Sequence, residues 1–162
     1  MKDKIKKIYT NTYTTEISSL DLLYFYYKVH YEKYSLVDEK LPQMITFLKE
    51  ETDAYVSKIH TVFNNILLRD AEHSEIEEYI DYFRSNHNES LKPEIKLENE
   101  LYESLEYHDI LKDIINKYGA KINKDFTKSN VFTMLQYLLK LDDIYIKRDS
   151  QKIFKILESK YK

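Results

Sequence analysis

The chain has 162 residues, a net charge of −3, no cysteine, one glycine, two prolines and 16 tyrosines. The absence of cysteine excludes disulfides, cysteine nucleophiles and zinc fingers, and the single glycine excludes a turn-rich β-sandwich and a glycine-rich phosphate loop. Many helix-forming residues with few helix breakers predict an all-α fold, a compact orthogonal bundle of about seven or eight helices.

Charge is distributed unevenly along the chain. Bases outnumber acids in residues 1–9 and 121–162, whereas acids outnumber bases two to one in residues 10–120. We expect residues 1–14 to be a basic N-terminal arm that orders on a partner, and residues 15–162 to be a single all-helical domain. No apolar export segment follows the basic start and no apolar run could span a bilayer, which predicts an intracellular, cytoplasmic protein without membrane contact.

The first predicted helix begins at Thr15 or Ser18 and ends near residue 34. Three- and four-residue spacing places its apolar side chains on one face: Leu20, Leu23, Tyr24, Tyr27, Tyr31 and Tyr34. A strand interpretation competes, because alternate residues from 23 to 31 are also apolar, but the longer match favours the helix. Tyr24, Tyr27 and Tyr31 are candidate contact residues, since tyrosine suits surfaces that are partly apolar and partly wet.

Three helices are predicted in the middle of the chain. Pro42 fits the first turn of a short helix, and Asp53 is a candidate cap for a second one that ends near residues 69–70. Ser74 is a candidate cap for the third, because Glu77 stands three residues later as in a capping box.

Helical spacing continues through the second half of the chain. Pro93 begins an apolar pattern that extends to residue 118, and the spacing leaves open whether this segment is one helix or two. Gly119 is a candidate left-handed residue at its end. Two more helices are predicted over residues 131–139 and 153–161, with Asp149 or Ser150 as the cap of the last one.

The stretch ILLRDAEHSEIEEY, residues 66–79, combines one histidine with five acids. Asp70 and Glu77 stand three residues before and four residues after His73, so either could share a helix face with it. The spacings of di-metal bundles and zinc proteases are nevertheless missing from the chain. We therefore predict no metal or cofactor here and interpret the stretch as a polar joint between two helices.

Ser104 and Glu106 could in principle be a nucleophile and a base, whereas Arg69 is a candidate for a structural role. Ser104, Glu106 and His108 are spaced by two and so point around a helix, and we expect Ser104 or Glu106 to cap or brace a helix end. Arg69 stands at a predicted helix C-terminus, where a cation is favourable, and we expect it to pair with Glu106 or with an acid of the next turn. These interpretations predict a protein that is not an enzyme.

Residues 55–109 resemble the domain of unknown function 4214 family. The apolar residues that match its pattern are Val56, Ile59, Phe63, Leu67 and Ile76, and the other matching residues are Arg69, Glu72, Tyr79, Ser104, Glu106 and Tyr107. Leu68 and Glu75 stand where that family usually has glycine. The resemblance implies a helical core over residues 55–118, followed by C-terminal helices over residues 119–162. It also implies a scaffold or interaction role, and together with the composition it points to a large DNA virus as source.

These observations predict a non-enzymatic structural or interaction protein. The specific expectation is a viral assembly component, of minor capsid or virion scaffold type, that contacts other subunits through tyrosine-rich helix faces. The alternative is an accessory protein that binds nucleic acid nonspecifically through its basic ends, using Lys2, Lys4, Lys6 and Lys7 or the lysines and arginine of residues 147–162.

Overall fold

The structure is a computed structural model that describes residues 1–31, 38–85, 92–141 and 149–161. These residues form eight α-helices and no strand, which confirms the predicted all-α fold. The helices are α1 (Lys2–Tyr13), α2 (Ser19–Tyr31), α3 (Leu41–Leu67), α4 (His73–Ser85), α5 (Pro93–Tyr102), α6 (Leu105–Lys121), α7 (Lys128–Leu139) and α8 (Ser150–Lys160). None of these helices is both long and apolar enough to cross a bilayer.

The chain divides into two compact units. Unit 1 comprises Met1–Lys58 and Glu72–Ser85, and unit 2 comprises Ile59–Ala71 and Asn86–Lys162. Residues 15–162, predicted to be a single domain, therefore contribute to both units.

Helix α1 forms part of the core of unit 1, which differs from the predicted basic arm. Ile5 and Tyr9 are buried, and they cluster with buried residues of α2 and α3, which are Phe25, Val29, Leu41, Ile45 and Leu48. A spacing of four residues places Ile5 and Tyr9 on one helix face, while Lys2, Lys4, Lys6 and Lys7 are exposed. Residues 2–13 are thus an amphipathic helix, which the high lysine content obscured.

The helical prediction for α2 is confirmed, and the residues that bury the helix lie outside the apolar face named from the spacing. Phe25 and Val29 are fully buried, whereas Leu23, Tyr27 and Tyr31 expose 57%, 60% and 70% of their surface. Apolar residues surround this helix, so three- and four-residue spacing fits more than one face. Tyr34 lies outside the described residues.

Helix α3 is a single helix of 27 residues, where the sequence predicted two. Asp53 does not cap a helix; it lies within α3, and its carboxylate pairs with the Lys49 ammonium at 2.6 Å. This pair has the i, i+4 spacing that stabilises helices, so the residue expected to begin a helix instead supports the middle of one.

In unit 2, α6 packs against α5, α7 and α8. The buried residues of these helices include Leu111, Ile115, Leu135, Leu138, Ile153 and Leu157. The segment that the sequence left open is two helices, α5 and α6. Asp149 caps α8, as predicted, because its side chain accepts hydrogen bonds from the backbone N–H groups of Gln151 and Lys152.

Gly119 does not have the predicted left-handed conformation, since α6 continues to Lys121 and the residue with positive φ is Asn123, at 58°. A Cβ atom at Gly119 would lie 2.9 Å from both the Lys124 carbonyl oxygen and the Phe126 ring. The glycine therefore allows the loop after α6 to return closely over the helix.

Candidate functional site

The joint around Arg69 was the first candidate site. Arg69 Nε donates to Glu106 Oε1 at 2.7 Å and Arg69 Nη2 donates to Glu106 Oε2 at 2.9 Å, which confirms the expected pair. Arg69 Nη1 also donates to the Asp70 carbonyl oxygen at 3.0 Å. The guanidinium thus connects the end of α3 to the first turn of α6, where an acidic side chain also favours the helix dipole.

The turn that carries Arg69 is held by other polar side chains. Asn64 Nδ2 donates to the His60 carbonyl oxygen at 3.0 Å and to the Asp70 carboxylate. His60 Nδ1 accepts a hydrogen bond from the Ala71 N–H at 3.1 Å. Leu68 has a φ of 60°, in the left-handed region. These contacts assign a structural role to the histidine and the acid of this turn.

Ser104, Glu106 and Tyr107 lie at the start of α6. Ser104 caps this helix, because its Oγ accepts a hydrogen bond from the Tyr107 N–H at 3.2 Å and donates one to the Leu101 carbonyl oxygen at 2.6 Å. Tyr107 is buried, with its ring 4.9 Å from that of Tyr102. The expectation that Ser104 or Glu106 caps or braces a helix end is therefore confirmed.

Helix α4 begins at a different residue, and with a different cap, from those predicted. The helix begins at His73, and the Glu75 carboxylate accepts a hydrogen bond from the Glu72 N–H at 2.8 Å, so the Ser74 capping box is wrong by two residues. His73 Nε2 lies 2.8 Å from Glu77 Oε1. Tyr79 is partly buried in this helix. Within the described part of the chain, no group of three histidines or acids could hold a metal ion.

A buried arginine in unit 1 was missed by sequence analysis. Only 2% of the Arg84 side chain is exposed, and its Nη2 lies 2.6 Å from Asp21 Oδ1 and 2.9 Å from Thr52 Oγ1. Its guanidinium carbon lies 4.0 Å from the centre of the Tyr24 ring, as in a cation–π contact. One feature of the sequence indicates that Arg84 is buried: it follows Ile80 by four residues and so lies on the apolar stripe of α4.

Tyr24 belongs to this buried cluster and not to the exposed tyrosine surface. Its hydroxyl donates to Glu51 Oε1 at 2.8 Å. Burial, followed by the bond to the Glu51 carboxylate, raises the pKa of Tyr24 well above its usual value. The arrangement joins α2, α3 and α4 and keeps α2 in a fixed orientation within unit 1.

The exposed side of α2 is a candidate interaction surface. Leu23, Tyr27 and Tyr31, which we name the α2 face, follow one another at four-residue spacing and are all exposed. The rings of Tyr27 and Tyr31 are stacked, with centroids 5.9 Å apart and planes inclined by 17°. The surface is therefore a continuous apolar stripe along one helix.

An open groove adjoins one end of the α2 face, between the first turns of α2 and helix α4. It has a volume of about 750 Å³ and is lined by Ser18, Ser19, Leu20, Leu23, Ser74, Glu77 and Glu78. We name it the α2–α4 groove. Leucines supply its apolar lining, and glutamates line its α4 side.

Comparisons with protein-family models, with curated proteins and with solved structures give no match to this chain. The resemblance of residues 55–109 to the domain of unknown function 4214 family stays a prediction, and so does the viral source. The functional interpretation below is based on the geometry of the α2 face and the α2–α4 groove.

Proposed function

We propose that this chain is a non-enzymatic interaction protein that binds a partner protein through the α2 face. The supporting observation is the exposure of Leu23, Tyr27 and Tyr31, each more than half accessible on one helix stripe. Grouped exposed apolar side chains mark interaction sites, and tyrosine is enriched among the residues that contribute most to binding energy.

The way α2 is held supports the same proposal. Phe25 and Val29 bury the opposite side of the helix, and the hydroxyl of Tyr24 bonds to Glu51 of α3. A contact surface on a fixed helix loses little conformational entropy when a partner binds. Stacking of Tyr27 on Tyr31 restricts both side chains further.

The side chains that could have served catalysis have structural contacts, which supports the non-enzymatic proposal. Ser104 caps α6, Glu106 binds Arg69, and His60 accepts a backbone hydrogen bond. A role as a virion or minor capsid component is the narrower form of the proposal, and it is based on composition and resemblance alone.

Nucleic-acid binding is the second candidate function. Helix α1 exposes Lys2, Lys4, Lys6 and Lys7, and such a group of cations can bind phosphates without reading sequence. Lys147, Arg148 and Lys162 lie outside the described residues. A mobility shift on random duplex DNA at low salt that Lys4→Gln with Lys6→Gln abolishes would support this candidate, and the absence of any shift would exclude it.

Site-specific photocrosslinking tests the leading proposal. Tyr27 is replaced by benzoylphenylalanine, and the matched control carries the same replacement at Phe47, which is 57% exposed on α3. In extract of the cells that naturally produce the protein, we expect one defined adduct, identified by mass spectrometry, from position 27 and none from position 47. Leu23→Ser should remove that adduct. The same adducts from both positions, or none from position 27, would contradict the proposal.

A further inference from the structure

The geometry and charge of unit 1 point to the chemistry of the partner. We propose that the segment bound by the α2 face is a basic amphipathic helix, and that one end of it lies in the α2–α4 groove. This inference depends on the proposed function, because it names the partner class for the same surface.

The apolar stripe has the length and spacing that a helix requires. Leu20 and Leu23 line the groove, and Tyr27 and Tyr31 continue the stripe at positions seven and eleven after Leu20. At 1.5 Å per residue the stripe extends for about 16 Å, or three helical turns. An amphipathic helix binds such a surface through apolar side chains at positions i, i+3 or i+4, and i+7.

Charge determines which kind of helix fits. Helix α4 contains the acids Glu75, Glu77, Glu78 and Asp81 and one arginine, Arg84. The Arg84 side chain is buried against Asp21, so its charge is directed into unit 1 and not toward the groove. Glu77 and Glu78 line the groove directly. Lysine or arginine beside the apolar stripe of a partner would meet these carboxylates, whereas an acidic helix would be repelled.

Cations near the tyrosines do not reverse this preference. The lysine of α2 is Lys28, and its ammonium lies 5.8 Å from the centre of the Tyr24 ring, beside the buried cluster. His73 Nε2 lies 2.8 Å from Glu77 Oε1 at the start of α4, and Glu78 supplies a second carboxylate to the groove.

A second copy of the chain is a poorer occupant than a separate partner. Among the helices of the described residues, the basic ones with apolar stripes are α1 and α8. Both bury those stripes internally, through Ile5 and Tyr9 in α1 and through Ile153 and Leu157 in α8. A folded second copy therefore cannot present either stripe to the groove without unfolding part of its core.

Two designed peptide probes test the inference on the full chain. Both carry leucine at the same helical spacing, and the polar positions are lysine in one and glutamate in the other. By fluorescence anisotropy we expect the lysine peptide to bind, more weakly as salt is added, and the glutamate peptide not to bind. Glu77→Gln with Glu78→Gln should weaken binding of the lysine peptide about tenfold. The matched control, Glu100→Gln with Glu158→Gln, removes two exposed acids elsewhere and should leave the affinity unchanged.

The outcomes separate the two proposals. If the position 27 adduct forms with the natural partner but the glutamine pair leaves both that adduct and the peptide affinity unchanged, the basic-helix inference is wrong and the interaction role stands. If the lysine peptide binds Leu23→Ser with Tyr27→Ser as tightly as the parent chain, charge alone attracts it and the inference is wrong. A dimer in sedimentation equilibrium that Tyr27→Ser dissociates would identify a second copy as the occupant and would also overturn the inference.

Discussion

Arg84 and Asp21 form an ion pair inside unit 1, with 2.6 Å between Nη2 and Oδ1 and only 2% of the arginine side chain exposed. The same guanidinium contacts Thr52 and the ring of Tyr24. A charge so deeply buried requires partners, since its transfer from water is expensive. This cluster therefore determines how α4 packs against α2 and α3, and so also the position of the α2–α4 groove.

The Arg84–Asp21 pair predicts a large loss of stability when the arginine is removed. Arg84→Ala leaves the Asp21 carboxylate partly buried without its cation, and we expect the free energy of unfolding to fall by about 3 kcal/mol. Urea denaturation followed by circular dichroism measures the change. Asp81→Asn is the matched control: its carboxylate lies 3.9 Å from Arg84 Nη1 but is 64% exposed, so we expect a loss below about 0.5 kcal/mol. Equal losses for both variants would contradict the assigned role of the pair.

The Arg69–Glu106 pair predicts a smaller effect, because 31% and 45% of the two side chains are exposed. Arg69→Ala should lower the free energy of unfolding by about 1 kcal/mol. Arg69→Lys should retain only part of the stabilisation that Arg69 provides, since lysine cannot reproduce the paired hydrogen bonds of the guanidinium to the carboxylate. In a double-mutant cycle with Glu106→Gln, additive losses would show that the pair is not coupled.

The sequence predicted secondary structure well where one physical cause dominated. Arg69 was expected to pair with Glu106 or with an acid of the next turn because it stands at a helix end, and the structure shows Glu106. Asp149 or Ser150 was expected to cap the last helix because of residue type, and the structure shows Asp149. Helix α2 was also predicted, but its buried face was not. Every side of that helix carries large apolar residues, so only contacts with α1 and α3 decide between Phe25 and Tyr27, and spacing contains no information about them.

Other features depend on tertiary contacts that no local pattern encodes. Gly119 was interpreted as a left-handed helix end, but its place is explained by the approach of Lys124 and Phe126. Arg84 was not identified as a buried residue from the sequence. An arginine near a helix C-terminus is ordinarily explained by its favourable interaction with the helix dipole. Its burial depends on Asp21, which is 63 residues earlier in the chain.

The position of Gly119 predicts that its replacement by alanine lowers the stability of the protein, which is the opposite of the usual effect in a helix. In a helix, Gly→Ala normally stabilises by roughly 1 kcal/mol. Here the added Cβ would meet a backbone oxygen and an aromatic ring, both at 2.9 Å, so we expect a loss of about 1–3 kcal/mol from overpacking. Asn116→Ala, at an exposed position one turn earlier in α6, is the control and should change stability by less than about 0.5 kcal/mol. A more stable Gly119→Ala variant in thermal denaturation would contradict the close approach.

Tyr24 predicts a loss of stability at alkaline pH. Its pKa is raised in the folded protein, chiefly by burial, so the folded state retains a proton that the unfolded state releases above about pH 10. The stability that the protonated Tyr24 hydroxyl contributes is fully present below that pH. It decreases as the pH rises toward the pKa of Tyr24 in the folded protein. Tyr24→Phe should therefore show a shallower decrease between about pH 10 and pH 11 in urea denaturation. Equal slopes for the parent chain and Tyr24→Phe would contradict the prediction.

The backbone conformation of Leu68 predicts that Leu68→Gly stabilises the protein. Its φ of 60° lies in the left-handed region, where a Cβ atom costs roughly 1–2 kcal/mol, and its side chain is 65% exposed. Leu68→Gly removes this strain but increases the freedom of the unfolded chain, so we expect a net gain of about 0.5 kcal/mol.

The matched control for Leu68→Gly is the same replacement at Leu23, which is similarly exposed but lies within α2. There the backbone is helical and glycine should cost about 1 kcal/mol. Thermal and urea denaturation of the two variants should therefore give changes of opposite sign. A loss of stability for Leu68→Gly as large as that for Leu23→Gly would show that the turn at the end of α3 carries no strain, and that Leu68 contributes through contacts of its side chain.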